Sequence, residues 1–273
     1  MIAAVLASAA LALAPLPGFV RIATGPDGGS VWEGRIVPSP RPSIVYLPPG
    51  YTRSQRYPVV YLLHGMPGDP YGFVGALRLA GQADQLAASG ARPFIAVAPP
   101  GGSDARYRGE WAGAWEDHVV RTVVPWVDRH LPTIASPRGR TIGGLSAGGF
   151  GALDIALRHP GLFGTIESWG GYYTPFRDGP LRDATRAQLD AHDPALLVRR
   201  EAPALRREGV RFFLSSGPTH GHILESETPA FGRALARLRL PHTVWLVPAG
   251  ILTADWRAQL RQGLRYAFAP ATS

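Results

Sequence analysis

Short unbroken apolar runs recur along this chain, at Ile44–Leu47, Val59–Leu63, Phe94–Ala98, Thr141–Ile142, Thr165–Ile166, Phe212–Leu214 and Val244–Val247. Runs of this length, bounded by Pro and Gly and free of polar interruption, suit strands buried on both faces, as in a covered parallel sheet. Helical periodicity fills the intervals. Val119, Val120, Val123, Val124, Val127 and Leu131 line one face, Phe231, Leu235 and Leu238 another, and Trp256, Leu260 and Leu264 a third. Strands alternating with helices predict an α/β fold: a mostly parallel central sheet of about eight strands with helices on both faces. Residues 172–208 show no strand pattern and are expected to cap the sheet's edge.

Residues 21–273 read as a single domain, since no linker, repeat or low-complexity tract interrupts them. Residues 1–20 carry no charged side chain, and Ala, Leu, Ile and Val dominate as far as Ala14. A helix ending before Pro15 would span only ~21 Å, short of a ~30 Å hydrocarbon core. A secretory signal, with Ala12-Leu13-Ala14 as a small-residue cleavage site, or the remnant of a membrane segment fits better. An exported or membrane-associated protein is the expectation, with a cytoplasmic one as the alternative.

With 45% hydrophobic and 18% charged residues, the composition excludes a disordered chain, a collagen and a multi-span membrane protein. The absence of cysteine excludes disulfides, thiolate metal sites and a thiol nucleophile. Net charge is +8, yet every Lys/Arg position is arginine and no asparagine occurs, the signature of GC-rich coding. The arginines are scattered where a nucleic-acid binder would gather them into a stripe, so no nucleic-acid partner is expected. Association with an anionic membrane surface stays open.

Residues 141–151, Thr-Ile-Gly-Gly-Leu-Ser-Ala-Gly-Gly-Phe-Gly, hold the pattern G-x-S-x-G between an apolar run and a helical one. In a nucleophile elbow the serine sits on a sharp strand-to-helix turn, so its neighbours must be small. Gly144, Ala147, Gly148 and Gly149 meet that demand, which singles out Ser146. The helix start also aims backbone N–H groups at developing negative charge. A second segment, Val59-Val60-Tyr61-Leu62-Leu63-His64-Gly65-Met66, ends a buried strand in His-Gly. The N–H groups of Met66 and Ala147 are the expected oxyanion hole. His64 is expected to order its loop and not to act as base.

With these segments in place the chain resembles the Putative esterase family of α/β-hydrolases, which includes S-formylglutathione hydrolases, feruloyl esterases and mycolyltransferases. The resemblance runs from about Ser30 to Phe268. It rests on Tyr46-Leu47-Pro48-Pro49-Gly50-Tyr51, Leu62-Leu63-His64-Gly65, residues 144–149 and Arg158-His159-Pro160, followed by Phe163 and Glu167-Ser168-Trp169-Gly170. It implies acyl transfer through a serine ester, to water or another alcohol, without metal or organic cofactor. The expected function is a serine ester hydrolase acting on a small-molecule, lipid or sugar ester. A mycolyltransferase-type acyltransferase on the same site is one alternative, and a degenerate hydrolase serving as a binding or cell-envelope module is the other.

The resemblance also places the triad acid after the run Phe212–Leu214 and the histidine after Val244–Val247. A Gly-Gly-His-like sequence there would put histidine at position 251, where this chain has Ile251. His242 and His159 fall at the far end of the sheet. His118 and His130 belong to an amphipathic helix as surface or helix-end residues, and His192 suits a turn or cap. The loop histidines His220 and His222 remain as candidate bases, with Glu225 or Glu227 as orienting acid. His220-x-His222 lacks a third ligand, so no metal site is expected. Trp111, Trp169 and Tyr172 are the expected pocket walls, with ordinary core packing as the alternative for each.

Overall fold

The computed structural model of the chain describes residues 16–102, 109–217, 222–247 and 252–269. Among the described residues nine strands form one sheet: β1 (Phe19–Thr24), β2 (Ser30–Gly34), β3 (Ser43–Leu47), β4 (Val59–Leu63), β5 (Ile95–Ala98), β6 (Arg140–Leu145), β7 (Thr165–Trp169), β8 (Arg211–Ser216) and β9 (His242–Leu246). Their order across the sheet is β1-β2-β3-β5-β4-β6-β7-β8-β9. Strands β4 to β9 run parallel, and β1, β2 and β3 add an antiparallel flank. The expected architecture is present, with nine strands where about eight were anticipated. β1 and β2 escaped the sequence reading because they lie at the open side of the sheet and lack an unbroken apolar run.

The helices are α1 (Tyr71–Val74), α2 (Leu79–Ala88), α3 (Ala114–Asp117), α4 (Val124–His130), α5 (Ala147–Arg158), α6 (Arg186–Asp190), α7 (Pro194–Glu208), α8 (His222–Arg237) and α9 (Leu252–Phe268). One apolar layer packs α4, α5, α7 and α8 on one face of the sheet through Val127, Leu153, Leu197, Leu205, Phe231 and Leu235. A second layer sets α2 and α9 on the opposite face through Leu79, Leu86, Leu260 and Leu264. Each such side chain, fully buried, contributes roughly 1.5–3 kcal/mol. A strand covered on both faces must be apolar at every position, which is why β3, β4 and β5 are buried throughout.

Three local readings change. Residues 172–208 hold no strand, but their second half is not a cap: α7 is the crossover helix between β7 and β8, buried through Leu197, Val198, Ala202 and Leu205. Between α3 and α4 the chain takes a π-helical turn, His118–Val123, just before Pro125, whose ring cannot be followed back by an ordinary helical hydrogen bond. His118 is buried there, not exposed, and burial lowers its pKa. Packing also begins inside the apolar N-terminal segment. Leu16 is fully buried, and Phe19 and Val20 belong to β1.

Candidate functional site

β6 runs to Leu145, α5 begins at Ala147, and Ser146 is the single residue between them, with φ 55° and ψ −120°. A non-glycine residue in this region costs of order 1–3 kcal/mol and persists only where its surroundings enforce it. The Ser146 N–H donates to the Trp169 carbonyl at 2.9 Å, and the Gly149 and Phe150 N–H groups donate back to the Ser146 carbonyl. The tight passage explains the glycines. A Cβ on Gly148 would sit on the Leu63 carbonyl oxygen, and one on Gly144 would collide with that same oxygen and with the Gly148 backbone. α5 therefore starts directly against the end of β4, and the half-buried Ser146 hydroxyl is presented at the C-terminal edge of the parallel strands.

The loop after β4 forms the facing wall. A Cβ on Gly65 would lie 3.3 Å from the Ser146 Cβ, so the Gly65-Met66 backbone lies directly beside the nucleophile position. His64 fixes this loop. Its Nε2 accepts the Gly101 N–H at 3.1 Å, so the proton resides on Nδ1, which donates to the Gly65 carbonyl at 2.8 Å. Burial pushes its pKa down to about 4, which keeps the ring neutral. Both ring nitrogens are engaged, so His64 orders the loop, in keeping with the role expected of it. The Trp111 indole N–H donates to the His64 carbonyl at 3.1 Å, and the two rings meet edge to face.

Met66, Ala147, Phe150 and Tyr172 pack together. Tyr172 stacks on Phe150 with ring centroids 5.0 Å apart, and its hydroxyl lies 2.6 and 2.7 Å from the two carboxyl oxygens of Glu110. Glu110 is fully buried, and burial raises its pKa to about 8. Tyr172 thus borders the site on the side of Met66 and Ala147. Trp111 is buried between Gly101, Gly151 and His64, a support beneath the loop and not a surface facing substrate. Trp169 is core: its indole N–H donates to buried Glu167 at 3.0 Å, and α9 crosses it at Gly263.

The walls of the recess beside Ser146 come from elsewhere. A mainly apolar cavity of about 170 Å³ opens between the 64–69 loop, α1 and the start of α9, lined among others by Pro67, Phe73, Leu77, Leu145 and Trp256. Sequence reasoning missed these residues because Phe73 and Leu77 sit on short α1 and the turn after it, where no periodicity shows. Trp256 had been assigned only to a buried helix face.

Six of the eight histidines have described side chains, and none of them lies in this recess as a free base. His64 is spent on its loop. His130 bonds the Trp126 carbonyl, and His242 bonds the Leu240 carbonyl at the start of β9, the far edge of the sheet. His159 caps the C-terminus of α5 and meets Glu116 at 2.8 Å. His192, expected to serve only in a turn, reaches the fully buried Asp154 of α5 at 2.7 Å, and burial raises Asp154 to about 6. His118 is buried on the helix that carries it, against Trp115. His220 and Ile251 lie outside the described residues. His222 and Glu225 fall in the first turn of α8, their side chains likewise outside description, and half-buried Glu227 follows in the next turn. α8 starts just past the end of β8, so this segment leaves the sheet on the edge that carries Ser146. Among the described residues, no group of three His, Asp or Glu side chains could hold a metal ion.

A profile of the family described as "Putative esterase" matches residues 35–266. Among curated relatives, the esterase Rv1288 of Mycobacterium tuberculosis is 33% identical over 144 residues, 49% of this chain and 30% of that protein. An endo-1,4-beta-xylanase/feruloyl esterase of Xylanibacter ruminicola is 32% identical over 148 residues, 48% of this chain and 20% of that protein. The matched stretches therefore span less than a third of those relatives. Among solved structures, a ferulic acid esterase superposes with a TM-score of 0.75 at 22% identity, covering 88% of this chain and 97% of the other. An S-formylglutathione hydrolase from Agrobacterium tumefaciens gives 0.69 at 17%, covering 91% and 97%. At such identities the likeness shows a shared fold, the α/β-hydrolase fold.

Proposed function

The chain belongs to the Putative esterase family, and from that premise we propose that it is a carboxylic ester hydrolase working through an acyl-enzyme on Ser146. The observation that carries this reading is the backbone of Ser146, held at positive φ between β6 and α5 where glycine would be free of strain. A serine retained at that cost, with its hydroxyl at the sheet edge, fits attack on a carbonyl.

In this reading Ser146 Oγ adds to the ester carbonyl of a small-molecule, lipid or sugar ester as a histidine takes its proton. The N–H groups of Met66 and Ala147 receive the oxyanion. Collapse expels the alcohol, which leaves with the proton. Water then attacks the acyl-enzyme by the same route in reverse, releasing the acid and restoring Ser146. The histidine is His220 or His222, with Glu225 or Glu227 orienting it, because every other histidine is either hydrogen-bonded elsewhere or, like His118, buried against Trp115 on the helical segment before α4. The apolar cavity beside Leu145 receives one substituent of the ester. Transfer to another alcohol in place of water would use the same residues.

Ile251, at the position where the family resemblance calls for histidine, favours one competing reading: a binding module with a decayed triad. Intact-mass labelling with a fluorophosphonate, with peptide mapping and nitrophenyl ester turnover, separates the two. Rapid stoichiometric modification at Ser146, absent in Ser146→Ala and lost in His220→Ala or His222→Ala, is expected for the esterase. A folded protein that neither labels nor turns over, and that gains both in Ile251→His, would establish the decayed triad instead.

A further inference from the structure

The flank where the chain enters the fold carries an apolar and basic surface that catalysis at Ser146 does not use. Val20 and Ile22, the latter at the irregularity that interrupts the β1–β2 pairing, are exposed at 63% and 39%, whereas Phe19 turns inward onto Trp126. Phe19 pairs with Gly34 at the end of β2, and three residues on, Val37 is exposed at 70%. Among the described residues Val37 and Val20 are the two most exposed large hydrophobic side chains. Exposed Arg21 and Arg35 flank them, against half-buried Glu33 opposite Val20 and against Asp117, which shares a hollow with Pro38 and is paired with Arg121.

Two further facts say what covers this flank. Residues 1–15, with no charged side chain and thirteen positions among Ala, Val, Leu, Ile and Met, join the fold at Leu16, in the turn whose Phe19 N–H donates to the Leu16 carbonyl. The pairings also fix the end of the sheet involved. Gly34 pairs with Phe19 and with Ser43, and Ile44 pairs with Ala98 at the C-terminal end of β5. The Phe19–Gly34 end of β1 and β2 therefore belongs to the same sheet edge as Ser146. Exposed Tyr71 at the start of α1 and exposed Phe176, its ring tilted against Tyr172 in the loop after β7, lie on that edge as well.

We propose that the β1–β2 flank around Val20, Val37, Arg21 and Arg35 docks on an anionic lipid bilayer surface. Apolar side chains entering the headgroup boundary gain hydrophobic energy, and arginines beside them gain from acidic headgroups. Docking there leaves the sheet edge with Ser146 beside the bilayer, within reach of an ester presented by it. The proposal does not depend on turnover at Ser146, since binding is read directly.

The test is sedimentation of the full chain with vesicles of phosphatidylglycerol mixed with phosphatidylcholine, and with vesicles of phosphatidylcholine alone. Wild type is expected to bind the mixed vesicles far better. Val20→Ser with Val37→Ser is expected to weaken partition by about tenfold or more, and Arg21→Gln with Arg35→Gln by about thirtyfold. Leu196→Ser, an exposed position on α7 away from β1, is the matched control and keeps wild-type binding. Unchanged thermal melting shows that each variant is folded. Equal binding by the valine pair and wild type would overturn the proposal, assigning any membrane affinity to residues 1–15 alone. So would a wild-type dimer that the valine pair splits, which would make a second copy the occupant. Failure of wild type to bind the mixed vesicles overturns it outright.

Discussion

Glu110 should make the protein less stable as pH rises, and Glu110→Gln should remove that loss. Burial raises the Glu110 carboxyl from 4.5 to about 8, against the opposing pull of the Tyr172 hydroxyl. Below pH 4.5 the folded and unfolded chains are both protonated there, and the group costs nothing. Between 4.5 and about 8 the unfolded chain releases the proton while the folded chain keeps it, so folding stability falls steadily. Above about 8 the penalty is constant. The whole interval is worth roughly 5 kcal/mol, and roughly 3 kcal/mol of it has been lost by about pH 7.

Glutamine keeps an oxygen to accept the Tyr172 hydroxyl, has nearly the same volume and does not titrate. The variant should match wild type to within about 1 kcal/mol near pH 5 and exceed it by several kcal/mol by about pH 9. Glu167 is fully buried and also raised to about 8, so both proteins should retain a residual downward slope from that second carboxyl. Urea unfolding across this range, read at equal m-values, measures the difference. If the stability curves of wild type and Glu110→Gln run parallel with pH, Glu110 is not a buried protonated acid in the folded protein and the reasoning fails.

Ser146→Gly should abolish fluorophosphonate labelling while stabilising the fold by about 1–2 kcal/mol, because glycine relieves the positive φ; calorimetry alongside labelling checks both. Gly148→Ala should do the opposite of a mild helix-favouring change: its methyl meets the Leu63 carbonyl, so a loss of roughly 3 kcal/mol or more, or failure to accumulate, is expected in urea melts. Trp111→Phe removes the donor to the His64 carbonyl beneath the loop after β4 and should cost about 1–3 kcal/mol, with any ester turnover falling more than substrate affinity in steady-state kinetics. His192→Ala leaves Asp154 buried without its imidazole and should cost about 3 kcal/mol near neutral pH, less below about 6 where Asp154 is protonated, as urea midpoints at two pH values would show.

The sequence by itself determined the layered α/β plan, because strands covered on both faces must be apolar without a break and helices between them must carry one apolar stripe. The elbow was equally legible: only small residues fit between Leu63 and the start of α5, so Gly144, Ser146 and Gly148 announce the turn on their own. The same holds for the ordering role of His64, since a strand ending in His-Gly leaves the imidazole beside its own loop. What the tertiary structure alone decided depends on residues far apart in the chain. β1 and β2 lie on the open flank, where half-exposure erases the apolar run that marks a buried strand. The cavity joins Phe73 to Trp256, and Glu110 is kept neutral by a burial that only the tertiary packing creates, with the Tyr172 hydroxyl brought to it from sixty-two positions away. His192 left the turn its neighbours suggested for a carboxylate that only the packing of α5 puts underneath it. Burial and charge pairing are properties of neighbours in space. A sequence fixes them only after folding has chosen those neighbours.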